Sequence, residues 1–85
     1  MKTKYEFLPL TLINDYLPLI QKYKVSQQAR KKNQFFDQYK YHGSQLPPFW
    51  FQKRENFITR HLVQYRANPT IRRRLALITW AFDPE

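Results

Sequence analysis

Apolar residues recur along this chain at steps of three and four, the period of an amphipathic helix. The clearest run is residues 47–67, PPFWFQKRENFITRHLVQYRA. At 100° per residue, Trp50, Phe51, Phe57, Ile58, His61, Leu62 and Tyr65 share one arc, and Lys53, Asn56, Arg60 and Gln64 share the opposite one. Pro47 and Pro48 suit a helix start, because proline fits before or within the first turn and no deeper. Asn68 precedes a proline and avoids the α region, so it reads as a break and as the cap of the next helix. That helix is expected over residues 69–82, with Ile71, Leu75, Ile78 and Phe82 as its core stripe and Asp83-Pro84-Glu85 as its stop.

The first half is less regular. Residues 11–23 carry Ile13, Tyr16, Leu17, Ile20 and Tyr23 at helical spacing. Pro18 interrupts them, and a mid-helix proline costs about 3 kcal/mol. The reading therefore favours a break near Asn14, with Asp15 capping a second short helix. Ser26 suits the N-cap of a helix reaching Tyr41. Ala29, Lys32, Phe35, Phe36 and Tyr39 lie along one side of it, and Arg30, Asn33, Asp37 and Lys40 on the other. Gly43 suits the positive-φ position past a helix end. Residues 1–7 read as extended or frayed, since a strand over residues 4–7 has no evident partner. A single Gly argues against the many turns of an all-β fold. The expectation is one all-α domain spanning residues 1–85, a compact bundle of four helices, or five if the first is broken at Asp15.

Charge narrows the partners. The 85 residues carry a net charge of +9. Between Lys22 and Arg74 there are thirteen basic and two acidic residues, a net of +11, while the other four acids lie outside that stretch. A basic middle attracts polyanions, of which nucleic acid is the commonest. No Cys is present, which excludes disulfides and thiolate metal sites. No run of about 18 apolar residues offers a membrane span, so no membrane partner is expected. The N-terminus begins basic and turns apolar as a signal peptide does. Asp15, two prolines and the lack of a small-residue cleavage site argue against one, and a cytoplasmic location is expected.

Three basic clusters are candidate phosphate ligands. Arg72, Arg73 and Arg74 fall in the first turns of a helix, where cations oppose the macrodipole, and no structural compensation is evident in the sequence. Their alternative is a solvated face or pairing with Asp83, Glu85 or Glu55. Lys31 and Lys32 form a second cluster, beside Arg30. The third is Lys53, Asn56, Arg60 and Gln64 on the polar arc of the central helix. There Lys and Arg suit phosphates, and Asn and Gln suit base edges. The same residue types also make an ordinary exposed face. Phe35, Phe36 and Tyr39 are better read as core than as stacking platforms, with Tyr41 the exposed member. Trp80 lies about 180° from Ile71 and Ile78, so it either packs beneath another helix, the first being nearest to hand, or stands as an exposed platform.

Residues 17–39 superficially resemble a helix-turn-helix through Lys24-Val25-Ser26-Gln27-Gln28-Ala29. The turn glycine is Lys24, however, and of the buried positions that follow only Ala29 suits a core. Catalysis finds little support. His42 and His61 have no carboxylate at metal-binding spacing, no phosphate loop exists, and His61 at the edge of an apolar arc reads as a core histidine. The expected protein is not an enzyme and carries no cofactor or metal. It binds nucleic acid, DNA slightly before RNA, through Lys31, Lys32, Lys53, Arg60 and Arg72, Arg73 and Arg74, with Asn56 and Gln64 reading bases. The alternative is a protein-interaction module, an inhibitor or adaptor that docks on an acidic partner through Tyr41 and Trp80. A basic structural protein of a ribonucleoprotein particle is a third.

Overall fold

A computed structural model describes residues 3–85; Met1 and Lys2, with the part of the N-terminal reading that falls on them, lie outside the described residues. Four helices follow one another: α1 (Leu10–Lys22), α2 (Phe35–His42), α3 (Pro48–Ala67) and α4 (Ile71–Thr79). No strand occurs among the described residues. None of these helices is long and apolar enough to cross a membrane. α4 is the shared partner, packing on both α1 and α3, while α2 rests on α3.

α3 forms as its pattern predicts. Pro48 occupies its first turn, and Phe51, Ile58, Leu62 and Tyr65 are buried along one face. The first helix corrects the expected break at Asp15. α1 runs unbroken through Pro18, which sits on the solvent side, where water can serve the carbonyl that proline leaves without a donor. Burying Ile13 and Ile20 on one face outweighs that local cost.

The second helix is a larger correction. Residues 23–34 are a chain of turns, and α2 begins only at Phe35, so Ser26 caps nothing. Lys24, Ser26 and Asn33 have φ of 54°, 51° and 64°. Over residues 24–34 only Val25 and Ala29 are apolar, too few for a helical stripe, and both are buried without one. The backbone closes short loops instead, with Gln34 N–H donating to Lys31 O at 3.0 Å and Phe36 N–H to Ala29 O at 3.0 Å.

Two helices end alike. After α1, Val25 N–H reaches Ile20 O and Lys24 N–H reaches Gln21 O, both at 3.1 Å. After α4, Phe82 N–H reaches Leu77 O at 3.1 Å and Ala81 N–H reaches Ile78 O at 2.9 Å. Both are Schellman closures, with Lys24 and Ala81 (φ 63°) at the left-handed position. The second stops α4 before Phe82. α4 also starts later than expected. Its cap is Thr70, whose Oγ1 accepts from Arg73 N–H at 3.1 Å, so neither Asn68 nor Pro69 opens it. Ile71 therefore sits at the exposed end of α4, 42% accessible, and Leu77 takes its place in the core.

Trp80 is 6% exposed. It packs not beneath α1 but between α2 and α3, its ring 4.5 Å from those of Phe35 and Phe57, near-parallel to both. The stacking continues on either side. Phe35 lies against Tyr39 and Tyr39 against Phe7, with centroids 6.0 and 5.6 Å apart. At the other end Phe57 lies against His61 at 4.0 Å. Six rings thus form one column through the molecule, from Phe7 to His61.

The Phe7 end is closed by Arg54, whose guanidinium carbon lies 3.8 Å from the ring centroid. Arg54 is fully buried. Its Nε donates to Trp80 O at 2.8 Å, Nη2 to Ala81 O at 2.9 Å and Glu6 O at 3.2 Å, and Nη1 to Tyr5 O at 3.0 Å and Thr3 Oγ1 at 3.1 Å. All five donors of the guanidinium are used. Burial lowers its pKa to about 10, which leaves it charged at neutral pH. One side chain thereby ties the extended N-terminal segment and the turn after α4 to the middle of α3.

Candidate nucleic-acid interface

The turns of residues 23–34 stand beside α3 and leave a groove between them. Its larger part, about 590 Å³, is lined by Lys24, Ser26 and Val25 from the turns, Phe57, His61 and Gln64 from α3, and Thr70, Arg72 and Arg73 from the start of α4. A smaller part of about 140 Å³ shares Ser26 and Phe57 with it and reaches Lys53. The floor is the aromatic column seen from the side, since Phe35, Trp80, Phe57 and His61 all line one part or the other. The rim is cationic, and no carboxylate lines either part.

Two of the three basic clusters meet here. Gln64 and Lys53 come from the polar arc of α3, and Arg72 and Arg73 from α4. Arg60 and Asn56 are exposed on the same arc of α3, a helical turn from its groove-lining residues. Lys53 holds its ammonium 5.0 Å from the Trp50 ring and 5.6 Å from that of Phe49. Asn56 accepts from Gln52 Nε2 at 3.0 Å, which leaves its amide donor outward. Arg72 donates to Tyr23 O and Arg73 to Asn68 O, each through one Nη1. Most of each guanidinium stays uncommitted.

Arg74 does not join them. Its Nε and Nη2 grip the two oxygens of Asp83, each at 3.1 Å, and its guanidinium also faces Tyr16. The hydrogen bond it donates to Asp83 is the main cause that raises its pKa further. The sequence had offered this pairing as the alternative to a phosphate ligand, and this arginine takes it. Lys31 and Lys32 are exposed on the turns, outside the groove lining and not on a helix. Tyr41 is 85% exposed, against His42. Trp80, buried in the column, has no face left for a partner protein, which removes it as a docking anchor.

Among the described residues the pair Arg74–Asp83 is the one ion pair. The remaining acids are engaged elsewhere or face solvent. Asp37 accepts from Asn33 N–H at 2.9 Å, Glu55 contacts the Thr3 hydroxyl, and Glu85 accepts from the Tyr65 hydroxyl. Cations near the groove thus keep their charge without a carboxylate to neutralise it. His61, partly buried against Phe57 and beside Arg60, has its pKa lowered, first by burial and then by that neighbouring cation. It is a neutral imidazole at neutral pH.

Three groove residues escaped the sequence reading. Lys24 reaches it through a turn whose geometry is not encoded by any glycine. Phe57 and His61 were visible only as the edge of an apolar arc, and that edge is where a groove floor has to lie. Comparison with known proteins adds no family, since no family model matches the chain and no curated protein or solved structure is significantly similar to it.

Proposed function

We propose that this chain binds nucleic acid along the groove and the adjoining polar arc of α3. Lys24, Lys53, Arg60, Arg72 and Arg73 contact phosphates, and Asn56 and Gln64 face the bases. Lys31 and Lys32 extend the basic surface beyond the groove wall. The observation that carries this reading is a rim of unpaired Lys and Arg around a groove with no carboxylate in its lining. Cations so placed repel one another, and a polyanion is the ligand that relieves this. Arg72 and Arg73 also stand at the positive end of α4, where an anion is favoured.

The test is a titration against labelled duplex DNA, single-stranded DNA and structured RNA at several salt concentrations. Replacing Arg72 and Arg73 together by Ala should weaken the preferred ligand at least about tenfold at low salt. The slope of log K against log salt should become shallower by about 1.4 to 1.8, since each lost phosphate contact removes roughly 0.7 to 0.9. Arg66→Ala, on the far side of α3, should change neither. Binding no tighter than about 100 µM to every polymer at physiological salt would sink the proposal.

A second reading, docking on an acidic protein, retains one specific support. Tyr41, Phe49 and Val63 expose large apolar surfaces. A preparation free of nucleic acid that retains an acidic polypeptide from a lysate would favour it.

A further inference from the structure

We propose that the groove takes single-stranded nucleic acid, with one unpaired base stacked on the outer face of His61 and its flanking phosphates held by Arg72 and Arg73. This rests on the nucleic-acid reading above and specifies its ligand. The aromatic column is the reason. Each inner ring has a near-parallel neighbour on both sides, and the Phe7 end is covered by the Arg54 guanidinium. At the other end His61 has one stacking partner, Phe57, at 4.0 Å and 24°. Among the described residues no second aromatic ring stacks on it, and the residue lines the larger part of the groove. A seventh flat ring would continue the column there.

What surrounds that vacancy in the stack fits a nucleotide. Arg72 and Arg73 lie across the groove and carry the charge a phosphate needs. Gln64, one turn beyond His61 on α3, offers an amide to a base edge. About 590 Å³ lies within the range of small-ligand sites and so accommodates a nucleotide. A duplex shows its bases edge-on, with both faces already stacked on neighbours, and could not meet a ring face here. The turns of residues 23–34 also flank α3 along the groove, so α3 does not project as a helix that enters a major groove must. A neutral imidazole, which burial against Phe57 favours, stacks as an aromatic ring. Stacking tolerates every base, so little sequence preference is expected.

Anisotropy titrations with labelled thymidine and uridine 12-mers and with a 12-base-pair duplex test this. Single strands should bind at least about tenfold tighter than duplex. His61→Ala should weaken them roughly tenfold, the effect of one lost stacking contact, with the salt slope unchanged. His61→Phe should keep the affinity. Should His61→Ala melt too low to assay, a 5-iodouracil-substituted strand photocrosslinked to the wild-type protein replaces it, with the adduct expected at His61. Duplex bound as tightly as single strand, His61→Ala with unchanged affinity, or an adduct confined to other segments would overturn the platform while leaving the nucleic-acid reading intact. Absence of binding to every polymer would overturn both.

Discussion

Arg54 shows how much a single residue can hold. By angle it lies within the apolar arc of α3, flanked by His61 and Tyr65. Removing it takes a donor from four backbone carbonyls and leaves two of them, those of Glu6 and Trp80, with no other donor among the described residues, while Tyr5 O keeps the Thr3 hydroxyl and Ala81 O keeps Leu8 N–H. Arg54→Ala should therefore cost at least about 3 kcal/mol, against the few tenths typical of an exposed arginine. Urea denaturation measures it directly, and a loss below about 1 kcal/mol would show that the tie is dispensable. In the sequence Arg54 counted as one of thirteen basic residues. The angle was available as a signal, but its partners were not. They are backbone carbonyls more than twenty-five residues away, and nothing in a sequence marks where a carbonyl will point. Arg74 is the converse, since Asp83 nine residues on could be named as its partner because the pairing is local.

At the level of helices, local pattern and tertiary packing disagree in an orderly way. α3 was legible almost to the residue because its stripe, its proline start and its break all coincide. α2 was not. Phe35, Phe36 and Tyr39 announced a helix, yet nothing upstream carried the stripe on, and a good cap at Ser26 cannot create one. α1 went the other way, as a continuous helix persists through Pro18 because Ile13 and Ile20 are both fully buried against its neighbours. The proline is then a local cost that the fold tolerates. Pro18→Ala should raise stability by about 1 to 3 kcal/mol, part of the helix-interior penalty being returned through the looser unfolded chain. A higher denaturation midpoint at unchanged m-value is the expected result. A lower midpoint would mean that the ring makes a packing contribution α1 needs.

Over the whole molecule, charge and shape set the terms. A net +9 is carried on a body measuring 30 × 24 × 20 Å, with one ion pair among the described residues. At about 10 mM salt the screening length is about 30 Å, so each cation feels the others across the protein; at about 150 mM it is about 8 Å. Raising salt between these values should increase the melting temperature of the free protein by several degrees, as self-repulsion is screened. A melting temperature independent of salt would imply that the cations are too far apart to matter. The same rise in salt weakens binding to a polyanion, so stability and affinity should move in opposite directions. An all-helical chain with a basic middle was readable from residue order. Which cations share a groove was not, because Lys24, Lys53 and Arg72 meet only once three separate elements have packed.

The tie made by Arg54 has a further consequence, in the time order of synthesis. Its acceptors lie in residues 3–6 and again at Trp80 and Ala81, and the column it closes needs the ring of Trp80 at its centre. While the ribosome is still making the chain, residues 3–79 can form helices but have no Trp80 to stack on and no Ala81 carbonyl to bind. Until the turn at Trp80 and Ala81 has been made, Phe35 and Phe57 lack the ring between them and Arg54 lacks two of its acceptors. Closing the column and closing the Arg54 tie are then one event, which joins both ends of the described chain to its middle.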